Sequence, residues 1–186
     1  KTLEVGSNTF LSRMLGLARE ILLMRFLGIE IFADAFTTAY MLPNSLRKIF
    51  AEGALTAAFV PSFITIFKKE GKDQANSLME LSFVVFESIL LLLCVLVMWK
   101  AETTVRFIAP GYSEAQLAAT APLLRILMPF IFFISTSALL SGALNSVNHF
   151  FVPAFGPVLI NVVFIGALLL CVHYQLTVQF LCWMII

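Results

Sequence analysis

The sequence predicts an all-α, polytopic membrane helical bundle, and three observations carry that prediction. Hydrophobic residues make up 60% of the 186 and charged residues only 12%, whereas a soluble domain has about 45–50% apolar and about 25% charged residues. Mean hydropathy is +0.97. The apolar residues are also gathered into long runs, and a helix needs roughly 20 of them to cross a hydrocarbon core about 30 Å thick. With 12 Lys+Arg against 11 Asp+Glu, net charge singles out no partner and no nucleic-acid partner is predicted. The positions of the charges carry the information instead.

Hydropathy divides residues 1–186 into five full spans and the start of a sixth. The full spans lie at about 7–27, 32–67, 74–99, 115–147 and 153–174, and the sixth opens near 175 and is cut off at 186. The first run is too long and too charged for the apolar region of a cleavable signal, so insertion relies on this span itself. The second and fourth spans exceed the crossing length and contain Pro43, Pro122 and Pro129, which predicts tilt, kinks or protrusion into the headgroups. The chain stops inside the apolar run LTVQFLCWMII, which reads as a fragment of a longer protein. Cys94, Cys171 and Cys182 all lie in apolar runs without a C-x-x-C spacing. They read as small buried hydrophobes, and no metal site or cofactor is predicted.

Loop charge sets the predicted orientation. Lys68, Lys69 and Lys72 crowd the loop between the second and third spans, and under the positive-inside rule that loop is cytoplasmic. The N-terminus and the Asn148-His149 turn then lie inside. The loops around Glu30, Lys100 to Glu114 and His173 lie outside, although Lys100 and Arg106 weaken the bias.

Ionisable residues inside apolar spans are expensive, and by default they mark a solute or ion pathway. The first span holds Arg13, Arg19, Glu20 and Arg25, and the second is interrupted by Asp34, Arg47, Lys48 and Glu52. At about 100° per residue Arg13 and Glu20 fall about 20° apart on the helical wheel, while Arg19 and Arg25 each fall about 120° from Arg13. A straight helix therefore cannot aim all three arginines at one cavity. Either Gly16 marks a break, or one arginine snorkels to the interface, for which Arg25 beside Gly28 is best placed. The competing structural reading is that Glu20 merely neutralises a neighbouring arginine so that the helix can insert.

In the second span Asn44, Arg47 and Lys48 are spaced i, i+3, i+4 just after Pro43, one polar face on a bent helix. A bent basic helix suits an anion. Arg47 offers a bidentate grip on phosphate oxygens, whereas Lys48 reads equally well as an anchor at the cytoplasmic surface. Asn44, Lys48 and Arg25 are accessory candidates.

Several strings together are similar to a known family: LSRMLGLAREILLMRFLG, ADAFTTAYMLPNSLRKIFAEGALTAAFVPSF, IAPG and LSGALNSVNHFFVPAFGPVLIN. They resemble the N-terminal lobe of the MurJ (MviN) family, lipid II flippases of the multidrug/oligosaccharidyl-lipid/polysaccharide exporter superfamily, over most of residues 7–165. The resemblance implies the N-terminal six-helix lobe of a fourteen-helix, two-lobe transporter with a central cationic cavity, the C-terminal lobe being absent from this chain. It also implies a bacterial cytoplasmic (inner) membrane location, multi-pass. Arg13, Arg19 and Arg47 match arginines that line the family's cavity and are associated with transport, which makes them the expected substrate-binding residues, and Asp34 and Glu52 match acidic positions counted as functional. Glu20 stands where aspartate is frequent and Lys48 where arginine is; both departures keep charge, and Lys48 gives up bidentate geometry.

The function so implied is translocation of lipid II, the undecaprenyl-pyrophosphate-linked peptidoglycan precursor, by alternating access. The predicted partners are lipid II and the surrounding membrane lipids. Mid-membrane arginines would attract the pyrophosphate while the tail stays in lipid. No G-x-x-x-x-G-K-[ST] loop is present, so a coupling ion or the membrane potential, rather than nucleotide hydrolysis, is the expected energy source. The alternative is a polysaccharide-unit or other lipid-linked oligosaccharide flippase of the same superfamily. A membrane polyprenyl-phosphate transferase is a remote third, because it would need acidic metal ligands or a base at the membrane edge. A transporter and not an enzyme is expected.

Overall fold

Helix is the sole regular structure among the described residues, as a chain that must satisfy its own backbone in lipid requires. The computed structural model describes residues 2–28, 31–49, 55–147, 149 and 151–186; the side chains of 2–7, 9, 47, 55 and 56 lie outside that description. The helices are α1 (Thr2–Leu27), α2 (Ile31–Arg47), α3 (Leu55–Lys69), α4 (Lys72–Trp99), α5 (Ala101–Ile108), α6 (Glu114–Leu127), α7 (Phe130–Ser146), α8 (Phe151–Tyr174) and α9 (Val178–Ile185). Three stretches among the described residues are long and apolar enough to cross a membrane: Lys72–Trp99, Glu114–Ser146 and Phe151–Tyr174.

Several boundaries differ from the hydropathy reading, each for a local reason. Within 32–67 the described residues form α2, which passes through Pro43, and α3; residues 50–54 between them lie outside the described residues. The stretch 115–147 is divided into α6 and α7. Pro129 has no N–H to donate back to Arg125, and the chain tightens there through three-residue bonds, Ile131 N–H to the Met128 carbonyl at 3.2 Å and Phe132 N–H to the Pro129 carbonyl at 3.1 Å.

The segment 100–114, read as an outer loop, contains α5. Ala101 and Val105 are buried on its inner face, while Phe107 is 88% exposed and the neighbouring Trp99 72%. Tryptophan, with its amphipathic ring, favours the headgroup level. α6 then starts on a capping box, with the Ser113 side chain accepting from Gln116 N–H and the Gln116 side chain accepting from Ser113 N–H.

α1 packs chiefly on α8, α2 on α6, and α3 and α4 on α7. Burial concentrates in two apolar clusters. The larger joins α2, α5, α6, α8 and α9 around Phe36, Leu124, Leu127, Met128, Leu168 and Leu181. The smaller joins α3, α7 and the start of α4 around Phe59, Phe63, Ala75, Leu139 and Ala143. Gly142 of α7 allows the second close approach: a Cβ there would stand 3.2 Å from Val60 Cγ2 of α3, the use that small residues have at helix crossings in membranes. All three cysteines are free and buried.

Candidate functional site

The inward face of α1 follows the helical repeat. Asn8, Ser12, Leu15, Gly16, Arg19, Leu22, Leu23, Phe26 and Leu27 are partly or fully buried, and the intervening described residues from Phe10 to Arg25 are exposed. Three of these polar or small positions meet one residue of α8. Asn161, in an otherwise apolar helix, donates from Nδ2 to the Ser12 carbonyl at 3.1 Å and to Ser12 Oγ at 3.4 Å. Its Oδ1 accepts from Arg19 Nη1 at 3.2 Å. Gly16 lies between them, where a Cβ would be 3.9 Å from Asn161 Nδ2. α1 is a continuous helix through Gly16, so this glycine is a packing position and not a break.

Arg19 is held from three sides. Besides Asn161, Nη2 lies 3.6 Å from Glu20 Oε2, and the guanidinium carbon sits 5.1 Å from the centroid of the Phe164 ring. Phe164 is one turn beyond Asn161 on α8, so helical spacing puts the amide and the aromatic face under the same guanidinium. Arg19 is 24% exposed and Glu20 50%. Nε of Arg19 is buried without a hydrogen-bond partner among the described residues, leaving one donor of a charged group unused.

The other candidates are placed as follows. Arg13 and Glu20 share the outward face of α1, and Arg25 is also exposed. Arg13 and Arg19 therefore point to different faces, and within this chain they do not converge. Asp34 is exposed in the first turn of α2; its backbone carbonyl accepts from the Tyr112 hydroxyl at 3.2 Å. Asn44 is half-buried and Lys48 exposed. The side chain of Arg47, all of Glu52, and the Glu30 and Asn148 positions lie outside the described residues.

Two polar residues in apolar helices escaped the sequence reading. Asn161 stands in the string GPVLIN, and its signal was a lone amide in an apolar run. Glu87 lies near the middle of α4, where Thr136 Oγ1 donates to its Oε1 at 2.9 Å and Ser135 Oγ donates to the same oxygen. A carboxylate inside a long apolar run was a signal of the same kind as the arginines. It was overlooked because no charge stands near it in sequence.

A helical bundle with stretches of membrane-crossing length and a guanidinium packed between two of its helices is the architecture of a polytopic membrane protein. Comparison with known proteins narrows the class. The family described as lipid II flippase MurJ matches residues 23–184. The chain is 40% identical over 189 aligned positions to a lipid II flippase MurJ of Burkholderia cenocepacia, covering 99% of this chain and 36% of that protein. It is 38% identical over 177 positions to a probable lipid II flippase MurJ of Rhizobium tropici, covering 94% of this chain and 33% of that protein. A solved structure titled lipid II flippase MurJ, inward closed conformation, superposes with a TM-score of 0.82 at 30% identity, over 100% of this chain and 39% of its own. The chain belongs to the MurJ family. It spans about a third of the length of these curated relatives.

Proposed function

We propose that this chain is the N-terminal six-helix lobe of a flippase for lipid II, and that Arg19 is one of the groups that receive the pyrophosphate. The observation that carries this reading is the guanidinium of Arg19 held part-buried between α1 and α8, in a chain of the MurJ family. A cation kept at that depth is expensive unless its charge is used. Its unused Nε donor supports a role in which an anion completes the set.

Arg13, Glu20 and Arg25 lie on the outward face of α1, and Asp34 and Lys48 are exposed on α2 and just beyond it. In this reading that charged face lines the cavity between two lobes, so the arginines are shared between an inner position, Arg19, and a cavity wall. Arg47 completes the basic set, with Glu52 and Asp34 as the acidic partners and Asn44 as an accessory polar group. The polyprenyl tail stays in lipid while the headgroup crosses by rocking of one lobe against the other. The protein lies in the inner membrane with its N-terminus in the cytoplasm, on the side of Lys68, Lys69 and Lys72. It performs transport rather than bond chemistry, driven by an ion gradient or the membrane potential.

The test is complementation in cells depleted of their own lipid II flippase, with membrane abundance measured alongside growth. Arg19→Ala and Arg47→Ala in the full-length protein should each abolish growth at normal abundance. Arg→Lys should restore it partly if a point charge suffices, and poorly if the bidentate fork matters. Full growth with both alanine variants would remove these arginines from the mechanism.

A further inference from the structure

α4 carries a carboxylate that no neighbouring charge explains. Glu87 lies near the middle of a 28-residue helix that is long and apolar enough to cross a membrane, where a lone negative charge is strongly disfavoured. It makes no ion pair among the described residues. α7, which faces it, has no charged residue. The lysines of α3 lie in its last turn, and Arg125 of α6 is engaged at the far end of α4 with the Met98 carbonyl and Glu102.

What surrounds Glu87 is oxygen. Thr136 Oγ1 lies 2.9 Å from Oε1, and Ser135 Oγ bonds the same atom. Ser135 Oγ is also 3.1 Å from the Phe132 carbonyl. Oε2 is buried and has no hydrogen-bond partner among the described residues. This polar group sits at the seam between the two apolar clusters, with Ala75 and Leu139 on one side and Cys94 and Phe130 on the other.

We propose that Glu87, Ser135, Thr136 and the Phe132 carbonyl form a binding site for a monovalent alkali cation. Carboxylate, hydroxyl and carbonyl oxygens are the donors that hard cations take. Both hydroxyls keep lone pairs while they donate, so they ligate without losing their hydrogen bonds. One carboxylate balances one positive charge, whereas a divalent ion would leave an uncompensated charge in the apolar seam. The ion gives the unused Oε2 its partner and ties α4 to α7 between the clusters. The site is independent of the lipid II reading, because none of its residues belongs to the arginine set.

The experiment is equilibrium binding of radioactive sodium, and of rubidium as a potassium congener, to the purified full-length protein in detergent, with choline chloride balancing ionic strength. The wild-type protein should bind one or both ions. Glu87→Gln should bind one fewer cation per protein, and Ser135→Ala should weaken binding at least about tenfold, as loss of a ligand-shell group does elsewhere. Absence of alkali-ion binding, or unchanged stoichiometry and affinity in Glu87→Gln, overturns the site. If Glu87→Gln does not fold, a folded Ser135→Ala protein decides the matter, and wild-type affinity in it overturns the proposal as well.

Discussion

Arg19 and Asn161, 142 residues apart in sequence, are joined by a 3.2 Å hydrogen bond that couples the first helix to the eighth. The same amide donates to the Ser12 carbonyl, so one side chain of α8 serves two positions of α1. The register of these two helices is thus set by polar contacts inside an otherwise apolar contact surface.

Replacing Asn161 by Leu removes all of these bonds while nearly preserving volume. Polar contacts between membrane helices contribute about 0.6–1.7 kcal/mol, and an orphaned donor adds to the loss. We expect a lower thermal unfolding midpoint of the purified full-length protein by that order; Asn161→Asp keeps an acceptor for Arg19 but sets a carboxylate oxygen against the Ser12 carbonyl, and should lower the midpoint as well. Equal midpoints for wild type and Asn161→Leu would show that α1 is held by packing alone.

Gly142 is predicted to tolerate Ala poorly and Leu not at all. The Cβ would stand 3.2 Å from Val60 Cγ2 and 3.7 Å from Phe59 Cδ1, so α3 must give by a few tenths of an ångström for Ala and by much more for Leu. Overpacking of this kind costs about 1–3 kcal/mol. The check is the unfolding midpoint of both variants, with the order wild type, Ala, Leu; a Leu variant as stable as wild type would contradict the tight α3–α7 crossing.

Tyr112 pins the start of α2 to the segment before α6. Its hydroxyl donates to the Asp34 carbonyl at 3.2 Å, which leaves Thr38 Oγ1 to donate to Tyr112 in their shared bond. Tyr112→Phe keeps the ring and loses both contacts, at a cost of about 1 kcal/mol. Hydrogen exchange should then quicken locally at residues 34–38 while the rest of the protein keeps its protection.

The start of α6 offers a contrast between a cap and a surface ion pair. Ser113→Ala breaks the capping box and should cost about 0.5–2 kcal/mol. Arg106 and Glu114 are 2.8 Å apart but 57% and 81% exposed, so Arg106→Ala should cost less than about 1 kcal/mol. A larger loss for Arg106→Ala than for Ser113→Ala, read from the same midpoints, would mean that α5 depends on the ion pair for its position.

How far the site could be read from sequence depended on whether neighbours in space were neighbours in the chain. Arg13, Arg19, Glu20, Asp34 and Lys48 were visible as charges in apolar runs; Arg13 and Arg19 were expected in one cavity, and the structure turns them to different faces of α1, about as far apart as the helical wheel places them. Asn161 was not visible as a partner, because its meaning comes from Ser12 and Arg19 on a helix far away in sequence. Glu87 is the same case: Ser135 and Thr136 lie on a different helix. The division of 115–147 into α6 and α7 at Pro129 was hidden for another reason. Hydropathy averages over about 20 residues and does not register the loss of single backbone bonds at proline.

By itself, then, the sequence determined the all-helical class, because unbroken apolar runs of about 20 residues suit a spanning helix and not the short, alternating strands of a barrel. It also showed most of the charges that interrupt apolar runs. Tertiary structure decided which of those charges face inward and which oxygens surround Glu87. Local sequence sets the face of a helix on which a residue lies, but only the packing of α1 on α8 and of α4 on α7 decides what that face meets, and that depends on contacts among residues far apart in the chain.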